Sequence, residues 1–242
     1  MAESLGRSRF PEVLSPAQAN DKFTGRLRGF GPIGILAILA ILLTGNVFVG
    51  PMIVLPVGAV LVLVWVRWSG TPWIAIGYAR PRSWAAAIAG GLAFGVAFKF
   101  AMKAIVMPLL GADPVNQAYH FLAGNRALLP AAIWAMFVAG FGEETVFRGW
   151  AFERLGKLFG DNVTAKISIV ILTSMWFGLS HYQSQGVFGV EQATITGLAF
   201  GTIFAATGRI WMVMCAHAAF DLTALWMIYN DLETQIAHLV FK

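Results

Sequence analysis

The chain has 242 residues, of which 58% are hydrophobic and only 12% are charged, and its mean hydropathy is +0.71. Soluble domains carry about 25% charged residues, so this composition excludes a water-soluble enzyme and a nucleic-acid-binding domain despite the net charge of +5. We therefore expect an all-α, polytopic membrane protein in which Lys and Arg collect in the loops on one side.

The first 30 residues are predicted to form a polar tail. They contain no short apolar core followed by a small-residue cleavage site, which would be typical of a signal peptide. The rest of the chain, residues 31–242, is predicted to be a single transmembrane helical domain, because the sequence shows no internal repeat and no second domain.

Two membrane helices are predicted directly after the tail. No charged residue lies between Arg28 and Arg67, and this interval is long enough for two spans of about 20 residues each. We place these helices near 31–48 and 52–68, with a turn rich in Gly, Asn and Pro between them.

The third predicted helix covers residues 84–107 and follows a loop at 69–83. Its two lysines, Lys99 and Lys103, are one turn apart near the end of the helix, and we expect their side chains to extend to the membrane interface. The loop at 108–126 is predicted to lie along the membrane surface. A re-entrant or interfacial helix in this loop would be an eighth helix.

The fourth predicted helix, about 127–158, is long and carries two carboxylates, Glu143 and Glu144, in its middle. The remaining predicted helices are a fifth between Lys166 and Glu191, a sixth at about 190–206 and a seventh at about 210–230. Counted by side, the basic residues favour a cytoplasmic N-terminus, because the opposite loops hold little positive charge beyond Arg126.

Six ionisable side chains fall inside these predicted spans, where burial in lipid is costly and functional roles are common. They are Glu143, Glu144, Arg148, His181, His217 and Asp221. Residues four apart share one helix face, so Glu144 can pair with Arg148, and His217 lies on the same face as Asp221. On a regular helix Glu143 points about 100° away from Glu144 and is available for another role.

Glu143 and His181 are predicted to lie at the same membrane depth, because both are equally distant from the turn near Asn162. A carboxylate and an imidazole can together deprotonate a water, and a second histidine can stabilise the oxyanion that forms. Alternatively, Glu143, His181 and His217 provide the donor types of a catalytic zinc site. Both possibilities remain open at this point.

Three segments resemble the motifs of the CAAX protease and bacteriocin-processing family, also called the Abi family. Residues 143–149 (EETVFRG) resemble its EExxxR motif, residues 177–181 (FGLSH) its FxxxH motif, and residues 217–221 (HAAFD) its HxxxN or HxxxD motif. The segment 77–84 (GYARPRSW) also resembles a short basic stretch that often precedes the domain. The resemblance covers about residues 77–230, with each motif on a separate predicted helix.

The resemblance implies an intramembrane endopeptidase with a conical cavity open to the cytoplasm, in a multi-pass protein that we expect in a bacterial inner membrane. It implies that Glu143 and His181 activate the attacking water, and that His217 and Asp221 form the oxyanion site. The supporting residues would be Glu144, Arg148 and Phe177. The substrate would be a peptide or protein, with a lipidated C-terminal peptide as one form. A metalloprotease mechanism with zinc remains open, whereas the mechanism without a metal is favoured.

Asp221 departs from the Asn that occupies this position in the eukaryotic members of the family. An ionised Asp cannot donate a hydrogen bond to an oxyanion as an Asn amide does. Either the Asp221 carboxyl is protonated, or it orients His217 instead. Both readings stay open.

Other protease classes fit the sequence less well. It contains no HExxH zinc motif, and a rhomboid-like dyad would have to join Ser180 to His217. The GxGD aspartyl class would need Glu143 in the place of an Asp, with Asp221 as its second carboxylate. Outside the proteases, the alternatives are a non-proteolytic membrane scaffold, a bacteriocin-immunity protein that retains the family fold, and a transporter.

Overall fold

The computed structural model describes residues 16–45, 47–49 and 53–241, and most of them are helical. The helices, in chain order, are α1 (Pro16–Arg28), α2 (Pro32–Thr44), α3 (Val57–Ser69), α4 (Trp84–Leu109), α5 (129–159), α6 (Val163–Ser180), α7 (Tyr182–Thr207), α8 (Trp211–Tyr229) and α9 (Glu233–Ala237). Short 3₁₀ turns occur at Trp73–Ile76 and His120–Leu122. Two short strands, β1 (Val47–Val49) and β2 (Ile53–Leu55), pair in an antiparallel hairpin.

Within the described residues, four helices are long and apolar enough to cross a membrane: α4, α6, α7 and α8. The bent pair α1–α2, with a 55° angle between its halves, would add a fifth span. The helical membrane bundle is therefore supported, whereas the predicted number of seven or eight spans is not. The helices α2 and α3 have 13 residues each and are about 20 Å long, which is short of the roughly 30 Å of a bilayer core.

The first two predicted helices are shorter in the structure than the sequence indicated. Residues 47–49 and 53–55 form the β hairpin instead of helix ends, and most of the residues assigned to the intervening turn lie outside the described ones. Val, Ile and Phe supply apolar character to strands and helices alike, so hydropathy alone does not separate the two.

The alternative of an eighth helix in the loop at 108–126 is not supported. In this fully described segment the structure has the end of α4 and a single 3₁₀ turn, and no re-entrant or interfacial helix. The predicted boundary near residue 190 is likewise wrong, because α6 ends at Ser180 and α7 begins at Tyr182. The chain bends within α7 at Gly186, whose φ of 65° favours a residue without a side chain.

Helix α8 lies at the centre of the bundle. In its most apolar 18-residue stretch 61% is buried, compared with 22–39% in the corresponding stretches of the other three long helices. Helix α4 packs closely along it: a Cβ atom at Gly95 would come 2.1 Å from the carbonyl oxygen of Ala216. A side chain at position 95 would therefore force the two helices apart. This contact places one face of α4 against the centre of the protein.

Helix α5 contains two π-helical segments, Ala139–Glu143 and Thr145–Trp150, on either side of Glu144. Such widened turns are rare and occur frequently at functional sites. Within the first of these segments, a Cβ at Gly140 would lie 2.6 Å from the backbone nitrogen of Ala218 on α8. The glycine thus allows the close approach that brings the carboxylates of α5 next to His217.

Candidate active site

A buried network of three side chains joins α5 to α8. The Arg148 Nη1 atom donates a hydrogen bond of 2.8 Å to Glu144 Oε1, and the same oxygen lies 2.8 Å from His217 Nδ1. Glu144 is 0% exposed and Arg148 1% exposed. Because a carboxylate only accepts hydrogen bonds, this contact places the His217 proton on Nδ1 and directs Nε2 to the other side of the ring.

The Nε2 atom of His217 faces two further carboxylates. Asp221 Oδ2 is 3.5 Å from it and Glu143 Oε2 is 4.0 Å from it. These two carboxylates are less buried than Glu144, with side-chain exposures of 21% and 18%. The imidazole therefore lies between one fully buried carboxylate on its Nδ1 side and two accessible carboxylates on its Nε2 side.

His181 is held at the end of α6 by its own helix. Its Nδ1 atom lies 2.8 Å from the carbonyl oxygen of Phe177, to which Nδ1–H donates. In the neutral imidazole this leaves an unshared electron pair on Nε2. The Ser180 hydroxyl donates to the same carbonyl at 2.7 Å, and Ser180 does not line the cavity described next.

One cavity of about 170 Å³ brings the predicted residues together. Its lining includes Glu143, His181, His217, Asp221 and Phe177. A single water needs only about 10–15 Å³ of such volume, so the cavity has room for a water together with part of a substrate. Glu144 and Arg148 lie behind this surface and reach it through His217.

Aromatic rings form the walls around the two histidines. The Phe177 ring lies edge-on to His181 at 4.7 Å and to His217 at 5.8 Å between centroids, and the Arg148 guanidinium carbon is 4.6 Å from the Phe177 centroid. The Phe200 ring also contacts His217, at 5.4 Å between centroids. The expectation that Phe177 shapes the pocket agrees with these contacts.

The loop between α4 and α5 supplies a part of the site that the sequence analysis missed. Tyr119 and Asn116 from this loop line the cavity, and Gln185 Nε2 lies 3.4 Å from the Tyr119 hydroxyl. Burial raises the pKa of the Tyr119 phenol. The phenol thus remains a neutral hydrogen-bond donor at the edge of the cavity.

The two lysines of α4 do not extend to an interface, contrary to the expectation. Lys99 is 6% exposed and lines the cavity, and its Nζ atom donates to Gln192 Oε1 at 3.0 Å. Lys103 forms an ion pair of 3.3 Å with Glu233 at the start of α9. The sequence pattern gave no signal for these positions, because their burial arises from the packing of α4 on α7, α8 and α9.

The donor types fit zinc, but the arrangement does not. Within the described part of the chain, no group of three or more His, Cys, Asp or Glu side chains is placed to hold a metal ion. The Nδ1 atoms of both histidines are engaged by protein oxygens, and the Nε2 atom of His217 is 4.0 Å from Glu143, about twice a zinc–ligand bond. These side chains, as arranged, therefore do not form a zinc site.

Fold and site together define a membrane-embedded helical protein in which acidic and histidine side chains from three helices converge on one cavity. The model of the family described as Type II CAAX prenyl endopeptidase Rce1-like matches residues 125–223, which include all three motifs. The match supports the resemblance found from those motifs: residues 125–223 are similar to the CAAX protease family, which is a family of proteases. Searches of curated proteins and of solved structures gave no significant match.

Proposed function

We propose that this protein is an intramembrane endopeptidase that hydrolyses a peptide bond with a water activated by Glu143 and His181. The observation that carries the proposal is the convergence of Glu143, His181 and His217 on a single cavity. The family match over 125–223 supports peptidase activity at the family level.

In the first step a water lies between Glu143 and the Nε2 atom of His181. Because His181 donates through Nδ1 to a backbone carbonyl, its Nε2 atom can accept one hydrogen bond from this water, and the Glu143 carboxylate accepts the other. The water oxygen attacks the carbonyl carbon of the substrate as its proton passes to Glu143. The carbonyl π bond becomes an oxyanion.

His217 stabilises this oxyanion. In its protonated form the ring donates through Nδ1 to Glu144 and presents an Nε2–H toward the cavity. The buried Glu144–Arg148 pair holds the ring in place, so the donor is oriented before the reaction begins. The tetrahedral intermediate then collapses, the C–N bond breaks, and Glu143 transfers its proton to the leaving amine.

Glu144 and Arg148 are positioning residues in this scheme, because they act through His217. Asp221 is assigned to the oxyanion side of the site, where its Oδ2 atom is 3.5 Å from His217 Nε2. This distance is longer than a good N–H···O hydrogen bond. Since Glu144 already orients the ring, we propose that the Asp221 carboxyl is protonated and donates to the oxyanion.

The proposed setting is a bacterial inner membrane with the N-terminus in the cytoplasm. The excess of basic residues on one side supports this orientation. The proposed substrates are peptides or proteins that reach the cavity from the bilayer or its surface. Lipidated C-terminal peptides are included among them, as the name of the matching family suggests.

The test is a peptidase assay with the purified protein in detergent and fluorescence-quenched, S-farnesylated C-terminal peptides. We expect Glu143→Gln and His181→Ala each to lower kcat by at least about 100-fold, the lower range for loss of a general acid–base group. Asp161→Asn and His238→Ala are matched controls, because both residues are exposed and lie outside the cavity. Turnover by both site variants at the wild-type rate would overturn the proposal.

The same variants separate the peptidase from a scaffold or immunity role. A non-proteolytic partner would retain its biological activity in cells when Glu143 or His181 is replaced, provided that the variants are expressed and folded. A peptidase would lose it. Comparing growth or protection phenotypes of the two site variants with those of the two controls therefore distinguishes the alternatives.

A further inference from the structure

Lys99 is a buried cation next to the proposed catalytic groups. Its side chain comes from α4, is 6% exposed, and contacts a neutral amide, Gln192 Oε1, at 3.0 Å. Its Nζ atom also lies 4.7 Å from the ring centroid of Phe220. Among the described residues, no carboxylate lies within ion-pair distance of this ammonium group. A charge in such surroundings is costly unless it binds an anion.

Lys103, one turn further along α4, provides a direct contrast. Its Nζ atom is paired with Glu233 Oε1 at 3.3 Å and also donates to the backbone oxygen of Pro114. The structural demands of a buried lysine are met at this position. Lys99 lines the same cavity as Lys103 but has no such carboxylate partner among the described residues.

Lys99 lies where two cavities meet. The first holds Glu143, His181, His217 and Asp221, and the second extends toward α9. The residues common to both linings are Lys99, Asn116, Gln185, Gln192, Ala224 and Ile228. Three of these have carboxamide side chains, which can donate to and accept from a peptide backbone.

We propose that Lys99 determines specificity by binding the C-terminal carboxylate of the peptide substrate, an inference that rests on the proposed peptidase function. An ammonium group in one lining with three carboxamides matches the last peptide unit of a chain, which presents a carboxylate together with N–H and C=O groups. An acidic side chain within the substrate would use the cation but not the surrounding amides. The protein would then cleave preferentially close to free carboxyl termini.

The test uses two S-farnesylated, fluorescence-quenched peptides of identical sequence without Asp or Glu. One ends in a free carboxylate and the other in a C-terminal amide. We expect the wild-type protein to prefer the acid by about 10- to 100-fold in kcat/KM, the range that a charge-assisted hydrogen bond provides. The preference should reside in KM, because the carboxylate is bound equally in ground and transition states.

The decisive readout is the acid-to-amide ratio of kcat/KM in three variants. Lys99→Met should bring this ratio to about 1, Lys99→Arg should keep most of the preference, and the matched control Lys103→Met should keep all of it. The ratio of the two peptides cancels any effect of Lys99 on the protonation of Asp221, because such an effect acts on both peptides alike. Lys99→Gln serves as a second uncharged variant if Lys99→Met does not fold.

Equal cleavage of both peptides by the wild type would overturn the inference and leave the peptidase function standing. A preference that persists in Lys99→Met would do the same. An anion of another source in this place, such as a phospholipid phosphate, would also give equal cleavage of acid and amide.

A binding measurement separates this inference from the proposed function. Fluorescence anisotropy of the two peptides on the Glu143→Gln protein, with and without Lys99→Met, requires no turnover. If the Glu143→Gln protein binds the acid peptide selectively and loses this selectivity with Lys99→Met, the carboxylate site is supported. This holds even if the wild type cleaves neither peptide, and only the peptidase function is then overturned. The absence of both cleavage and selective binding would overturn the peptidase function and the carboxylate site together.

Discussion

The Glu144–Arg148–His217 network can be tested by replacing Glu144 and measuring stability and activity separately. Replacing Glu144 with Gln keeps the shape of the side chain and removes its charge. Arg148 then keeps one hydrogen bond, from Nη2 to the carbonyl oxygen of Gly197 at 3.4 Å, together with its contact to the Phe177 ring. His217 loses the carboxylate that fixes its orientation.

The expected loss of stability follows from the burial of this pair. Removing one partner of a buried ion pair costs about 3–5 kcal/mol in soluble proteins, whereas polar contacts between membrane helices contribute about 0.6–1.7 kcal/mol. Glu144 Oε1 takes part in two such contacts, one within α5 and one between helices. We therefore expect Glu144→Gln to lower the free energy of unfolding by about 2–4 kcal/mol.

The assay is reversible unfolding in mixed micelles with increasing SDS, followed by tryptophan fluorescence, beside the peptidase assay. The double variant Glu144→Gln/Arg148→Met removes both charges, so we expect it to recover at least half of the lost stability. Its activity should remain at least about 30-fold below wild type, equivalent to roughly 2 kcal/mol of transition-state stabilisation, because His217 is still unsupported. Wild-type stability and activity in Glu144→Gln would refute the reasoning.

Three further predictions concern the same site. Asp221→Asn supplies an uncharged amide donor, so kcat should stay within about 3-fold of wild type. Asp221→Ala removes the donor and should lower kcat at least about 10-fold. Equal rates in the two variants would remove Asp221 from the oxyanion site. Gly140→Ala inserts a Cβ 2.6 Å from the Ala218 nitrogen and should lower both thermal stability and kcat, with Gly156→Ala, where nothing lies within 4 Å, as the control. Treatment with a strong chelator should leave kcat unchanged, and activity that is lost and then restored by zinc would contradict the metal-free mechanism.

The spacing of the motif residues predicted several contacts that the structure shows in the candidate site. Glu144 and Arg148 are four residues apart and form the expected pair at 2.8 Å, because i,i+4 contacts persist through a locally widened helix. The equal depth inferred for Glu143 and His181 agrees with their presence in one cavity. These relations depend on local periodicity and on the rise of a helix, both of which can be derived from a sequence.

The direction of the two adjacent carboxylates could not be predicted in the same way. A regular helix would turn Glu143 about 100° from Glu144, yet both approach the imidazole of His217, one from each ring nitrogen. The π-helical segments on both sides of Glu144 change the angle per residue. The first of them packs against α8, where Gly140 approaches Ala218, and the sequence carried no pattern that identified either segment.

The environment of Lys99 depends on tertiary packing for the same reason. A lysine near the end of an apolar helix is compatible with extension into water, and nothing local distinguishes it from Lys103. Its burial follows from the close approach of α4 and α8 at Gly95 and from Gln192 on α7. A loop such as 110–128, which lacks helical periodicity, gave no indication that Asn116 and Tyr119 line the cavity.

The central claim is that a water, and no side chain, attacks the substrate carbonyl. The most direct measurement is cleavage of a farnesylated peptide in ¹⁸O-labelled water that contains hydroxylamine, with mass spectrometry of the new C-terminus. We predict a carboxylate that carries one ¹⁸O atom and no hydroxamate product. Formation of a hydroxamate that depends on Ser180 would reveal an acyl–enzyme intermediate and contradict the account.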